Sequence, residues 1–177
     1  MIISSPGPNP PEELYIIVEI PKGSNIKYEL DLDTGLLKVD RILYTAMAYP
    51  YNYGIIPHTL MPDGDELDAV LLIRQAIYPG SIIIGRPIGV LEMEDEKGID
   101  HKLIAVPIEK IDPSYKAIRT INDVSEFTLN QIRHFFMHYK DLEPGKWSRV
   151  RKFLDYEDTL KLIEEAIIRY RRRKSEN

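Results

Sequence analysis

The stretch Ile26-Lys27-Tyr28-Glu29-Leu30-Asp31-Leu32-Asp33-Thr34-Gly35-Leu36-Leu37-Lys38-Val39 reads as two short strands around a tight turn. Apolar and polar side chains alternate up to the break, the period of two of a pleated strand. Asp33-Thr34-Gly35 supplies the turn, where glycine takes a positive φ that other residues resist. Working outward, residues 14–20, 69–73, 81–91 and 102–106 form further short apolar or alternating runs, and Asp95 to Gly98 separates the last two as a second turn. Such a series of strands broken by turn residues predicts a mainly β chain with some α, built on a small closed antiparallel, OB-like β-barrel of about five strands.

Two helical patterns come late. Residues 125–139 place Phe127, Ile132, Phe135 and Phe136 on an apolar face, with Ser125 as N-cap. Residues 156–173 carry Leu160, Ile163, Ala166, Ile167 and Tyr170 at helical spacing, with Glu157/Lys161 and Glu165/Arg169 as i,i+4 pairs. These two flanking C-terminal helices are expected to pack on the barrel. No repeat or linker divides the chain, so residues 1–177 are expected to form a single domain. Residues 1–13 hold a proline-rich segment expected to lie extended, and 171–177 a basic tail expected to fray.

Composition narrows the chemistry. Apolar residues at 44% and charged residues at 29% suit a folded globular chain rather than a disordered one. No apolar run approaches the roughly 18 residues of a membrane span, and no basic-then-apolar leader opens the chain; a cytoplasmic protein without a membrane partner is expected. The absence of cysteine excludes a thiolate nucleophile and Cys-ligated zinc, so any metal must be held by oxygen or histidine. A net charge of −5 argues against a general nucleic-acid partner.

The densest chemical feature is Asp63-Gly64-Asp65-Glu66-Leu67-Asp68, four carboxylates in six residues just ahead of an apolar strand. Self-repulsion makes such a run costly unless a cation neutralises it. Asp63 and Asp65 share a face in an extended segment, and Asp68 joins them if the chain bends at Gly64. Hard divalent cations, magnesium above all, prefer such oxygens and leave positions open for phosphate. An EF-hand fails on spacing, because the glycine and glutamate positions counted from Asp63 hold Asp68 and Arg74; the bland alternative is an acidic surface turn. Asp95, Glu96 and Asp100 form a second acidic group with Lys102 beyond it, and Glu19, Lys27 and Glu29 a third, each explicable alone as a solvated hairpin or an exposed charge pair.

The combination carries more than its parts. Val18-Glu19-Ile20-Pro21, Lys27-Tyr28-Glu29, Val39-Asp40-Arg41, Tyr49-Pro50-Tyr51-Asn52-Tyr53-Gly54 and the acidic run, followed by Arg86-Pro87-Ile88-Gly89-Val90-Leu91, Asp95-Glu96-Lys97-Gly98-Ile99-Asp100-His101-Lys102 and His134 to Lys146, resemble in order the soluble family I inorganic pyrophosphatases of prokaryotic type. The resemblance covers roughly residues 14–147. It implies an inorganic diphosphatase that splits pyrophosphate into two orthophosphates, with Mg2+ as cofactor and Mn2+ or other divalent cations as substitutes. Asp63, Asp68 and Asp100 would hold two ions, and Asp65 would accept a proton from the attacking water. Tyr53 joins Asp65 in the catalytic set, while Glu19 and Asp95 would support further ions. Lys27, Glu29, Arg41, Tyr53, Lys102, Tyr139 and Lys140 would face the substrate, Glu29 less directly. Prokaryotic members of this length imply a homohexamer. Two departures are plain: Glu66 stands where most members have proline, and Arg151-Lys152-Phe153 replaces a glycine-tryptophan turn.

Rival readings are a metal-dependent nucleotide or phosphoester hydrolase and, outside enzymes, an OB-like nucleic-acid-binding module. No Walker A sequence, GxGxxG fingerprint or serine elbow is present. His134 and His138 have i,i+4 spacing but no third zinc ligand, so packing is the preferred reading. The basic Arg171-Arg172-Arg173-Lys174 run suits a helix C-terminus, where cations complement the dipole.

Overall fold

A computed structural model describes residues 3–176. In chain order it contains β1 (Leu14–Ile20), β2 (Ile26–Asp31), β3 (Leu36–Ile42), β4 (Asn52–Ile56), β5 (Leu67–Leu71), β6 (Ile82–Asp95), β7 (Gly98–Ile99), β8 (Lys102–Pro107), α1 (Glu126–His138), β9 (Ser148–Leu154) and α2 (Tyr156–Glu176). β2 and β3 pair as the expected hairpin. Asp31 Oδ1 accepts from the Asp33 and Thr34 N–H groups, and Gly35 at φ 71° donates to Asp31 O.

Five strands close on themselves in the order β1-β4-β5-β8-β6, because β1 pairs with β4 and also with β6. The expected five-stranded barrel is therefore present, with one seam of a different kind: β5 and β8 run parallel, Asp68 opposite Lys102. β6 is long enough to serve three neighbours, its far half pairing with β7 and β9. Three strands were not anticipated, the two-residue β7 among them, which starts at the last residue of the expected turn. β4 hides in the tyrosine-rich run, and β9 is a charge-rich alternation, Ser148-Arg149-Val150-Arg151-Lys152-Phe153-Leu154, held to β6 by Arg149 and Arg151 on Glu94.

Strand alternation sorts side chains into two clusters. Leu67, Ala69 and Leu71 of β5 and Leu103 and Ala105 of β8 pack with Ile163, Ala166 and Ile167 of α2. Val70, Ile104 and Val106 pack with Ile132, Phe135 and Phe136 of α1. By the same period of two, Asp68 and Lys102 share the faces of Val70 and Ile104, toward α1. Ser125 caps α1 as expected, its hydroxyl accepting from Thr128 N–H. Phe127 does not join the apolar face: it is 74% exposed in the first turn, ahead of the turns that pack.

The chain ends differ from expectation. Asn9 and Glu13 exchange backbone hydrogen bonds across a turn instead of lying extended, and α2 continues through 171–176. Met1 and Ile2 of the first segment and Asn177 of the second lie outside the described residues. Neither expected i,i+4 ion pair of α2 forms among the described residues; Lys161 meets Asp158 and Arg169 turns to Leu60.

Candidate active site

The turn between β4 and β5 brings the acidic run to the mouth of the barrel. Thr59 Oγ1 donates to Ile56 O at 2.6 Å and accepts from Leu67 N–H at 2.9 Å, which pins both ends of the turn inside the protein. Met61 N–H donates to Asp65 O, and Gly64, at φ 95°, lets the chain reverse so that Asp63 and Asp65 both face inward. β4 can approach β1 closely only because residue 54 is glycine: a Cβ there would lie 2.0 Å from Ile17 O.

One cleft of about 270 Å³ collects every candidate catalytic, substrate and metal residue: Glu19 of β1, Lys27 and Glu29 of β2, Arg41 of β3, Tyr53 of β4, Asp63, Asp65 and Asp68 around the β4–β5 turn, Asp95 of β6, Asp100 and Lys102 at β8, and Tyr139 and Lys140 after α1. His134 and His138 are not part of it; their rings meet at a tilt, centroids 4.7 Å apart, on the outer side of α1, and His138 Nδ1 lies 2.7 Å from Asp141.

Nine carboxylates and six cationic side chains line the cleft. Lys102, 2% exposed, donates to Asp68 at 2.7 Å and to Asp100 at 2.6 Å, and its ammonium lies over the Tyr53 ring. Burial pulls the Lys102 pKa down, but Asp68, Tyr53 and Asp100 outweigh it and hold the ammonium well above its usual range. Lys140 makes the matching bridge to Asp95 at 2.6 Å. Burial raises Asp95, yet Lys140 and the Lys97 N–H leave it below the usual carboxylate range.

Four acids of the cleft move the other way, Glu66 among them through burial. Burial pushes Glu19 up to about 8, although its Oε1 accepts from Leu30 N–H at 2.7 Å. Asp65 is raised by burial and then by the charges of Asp63 and Asp68, and Asp100 by burial against the pull of Lys102. Tyr53 and Tyr139 are buried beside these carboxylates, which keeps both phenols protonated.

Several cleft neighbours had no role assigned from the sequence. Glu143, 5% exposed, lies 2.8 Å from Arg41 Nε and 3.1 Å from Lys146 Nζ, while its Oε2 has no hydrogen-bond partner among the described residues. Asp40 takes the other side of Arg41, Nη1 to Oδ2 at 2.5 Å. Arg41 is thus gripped on two edges. Glu66, Tyr49, Lys97 and Lys146 also line the cleft.

Among the described residues no three acids or imidazoles converge tightly enough to cage an ion unaided. Lysine ammoniums instead take up the oxygens of Asp68, Asp100 and Asp95. The donor set is nonetheless all oxygen and in excess of the cations, which fits hard divalent ions.

A protein-family model described as inorganic pyrophosphatase matches residues 16–171. The chain belongs to the inorganic pyrophosphatase family. It is 53% identical over 167 residues to the inorganic pyrophosphatase of Aquifex pyrophilus, 94% of each chain, and 56% identical over 146 residues to that of Sulfolobus acidocaldarius, 82% of this chain and 84% of the other. The solved inorganic pyrophosphatase of Helicobacter pylori superposes with a TM-score of 0.89 at 51% identity, over 90% of this chain and 94% of that one. Membership makes the chain an enzyme, a hydrolase, rather than an OB-like binding module.

Proposed function

We propose that the chain hydrolyses inorganic pyrophosphate to two orthophosphates in this cleft, using Mg2+, with Mn2+ or another divalent cation as a substitute. The observation that carries the reading is the single cleft in which excess carboxylates face buried lysines, an arrangement that accepts an anion only together with cations. Asp63, Asp68 and Asp100 would hold the central ions, with Glu19 and Asp95 supporting others. When bound, such ions would neutralise the phosphate oxygens and make water more acidic.

The chain's own groups then divide the work. Asp65, made more basic by burial beside Asp63 and Asp68, takes the proton of the attacking water. Lys27, Arg41, Lys102 and Lys140, with the Tyr53 and Tyr139 hydroxyls, bind the two phosphoryl groups and stabilise the departing phosphate. Lys102 holds the oxygens of Asp68 and Asp100 that an ion would need, and its ammonium would turn to the substrate where an ion took them. Glu29 acts at one remove, by fixing Lys27 at 2.6 Å.

Residues 1–177 act as one domain on this reading, since both helices pack on the sheet that builds the site. The family's prokaryotic members support a homohexamer. A cytoplasmic setting fits a cysteine-free chain in which, among the described residues, no helix is long and apolar enough to cross a membrane.

Phosphate release from pyrophosphate, with Mg2+ and with chelator, tests the proposal, using Asp65→Asn and ATP as controls. Mg2+-dependent release that is lost in the folded variant and weak with ATP is expected. ATP turned over faster than pyrophosphate would favour the nucleotide hydrolase instead, and no release with any metal would end the reading.

A further inference from the structure

The C-terminal part of α2 lies along the outside of the acidic turn. Leu60 N–H donates to Ala166 O at 3.0 Å, and Arg169 Nη1 returns a bond to Leu60 O at 2.7 Å. One turn further, the Tyr170 ring meets His58 edge-on at 5.0 Å. Arg173 Nη1 reaches Gly64 O at 3.3 Å. Positions 166, 169/170 and 173 follow the helical period, so one face of α2 tracks the turn across positions 58, 60 and 64.

The base of the turn is anchored by Thr59 and by the buried Met61, whereas its tip, residues 62–65, is exposed. The tip's own bonds, Met61 to Asp65 and Gly64 to Met61, close it internally, and α2 adds Arg169 and Arg173 on its outer side. Glu66, half-buried next to Asp65 and Asp68, adds a like charge, and Arg173 is the cation that faces it. A basic helix end here neutralises the turn and grips its carbonyls with charge-assisted donors.

We propose that Arg169, seconded by Arg173, is a positioning residue that sets the acidic turn, and with it Asp63 and Asp65, for metal binding. The proposal rests on the metal role given above to these carboxylates. Losing a charge-assisted bond to Leu60 O would let the turn open on its own, with amide exchange at Met61 and Gly64 about tenfold faster or more.

The test compares full-length wild type, Arg169→Ala, Arg169→Lys and Arg173→Ala. Amide exchange is measured on metal-free protein, Mg2+ binding by calorimetry without substrate, and turnover across a Mg2+ series. Arg169→Ala should speed exchange at Met61 and Gly64 while Val70 and Ile104 stay protected, and weaken Mg2+ binding by about tenfold. Turnover should fall at low Mg2+ and recover at high Mg2+ with KM for pyrophosphate unchanged, and Arg169→Lys should restore part of each effect. Wild-type exchange and Mg2+ affinity in Arg169→Ala would overturn the proposal. So would equal acceleration at Val70 and Ile104, which marks a merely global loss of stability. If Arg169→Ala does not fold, Arg173→Ala carries the same prediction at Gly64. Exchange and calorimetry need no turnover, so absent pyrophosphate hydrolysis would count against the proposed reaction alone.

Discussion

Lys102→Met removes the one ammonium that holds Asp68 and Asp100 together, while keeping a side chain long enough to pack on Tyr53 and Phe136. Deleting one partner of a buried ion pair costs about 3–5 kcal/mol, because the remaining charge is left without compensation. Asp68 and Asp100 side chains are 27% and 15% exposed, so water recovers part of that. A cost at or just below the bottom of that range, about 2–3 kcal/mol, follows, and with roughly 2–4 °C per kcal/mol for a chain of this size Tm should fall by about 4–12 °C. The assay is thermal unfolding followed by circular dichroism, in chelator and in rising Mg2+, at several pH values. In the variant Asp100, already raised by burial, loses the pull of Lys102, so the deficit is absent at acid pH and grows as pH rises through its raised folded pKa. Mg2+ should lift the variant's Tm more than the wild type's, since it binds oxygens no longer claimed by lysine. An unchanged Tm in chelator, or a loss identical at acid and alkaline pH and indifferent to Mg2+, would refute the reasoning.

Glu19, pushed up to about 8 from 4.5, binds its proton more tightly folded than unfolded, so it stabilises below 4.5 and that stability is lost as pH rises through about 8. Metal-free Tm should therefore fall across that window in the wild type, and scanning fluorimetry of Glu19→Gln should show a flatter profile. Glu143→Gln keeps an oxygen near Arg41 but removes its charge; steady-state kinetics should show KM for pyrophosphate rising by about threefold to tenfold with a smaller change in kcat. Gly54→Ala forces a Cβ to within 2.0 Å of Ile17 O and should separate β1 from β4, lowering the urea midpoint by an amount worth more than about 3 kcal/mol.

Much of the site was legible along the chain because its residues sit at strand ends and turns, where local pattern is informative. The hairpin at Asp33-Thr34-Gly35, the break at Asp95 to Gly98, the cap at Ser125 and the acidic turn all announce themselves through residues with particular backbone or capping roles. β4 did not, since a tyrosine run followed by glycine resembles turn packing, and only the approach of Gly54 to Ile17 makes it a strand. β9 did not either, because its arginines are paid for by Glu94 across the sheet, a partner more than fifty residues away. Glu143 was silent for the same reason: its partner Arg41 comes from β3.

By itself the sequence determined the strand-rich class, the two helices, the want of thiol chemistry and a carboxylate inventory suited to hard cations. These follow from periodicity, turn residues and composition, which are local. Tertiary structure alone decided that β5 runs parallel to β8, and so that Asp68 faces Lys102 across a ladder joining residues thirty-four positions apart. It also decided which acids are raised and which lowered, since burial and the nearest ammonium set each shift, and neither distance exists until the barrel closes.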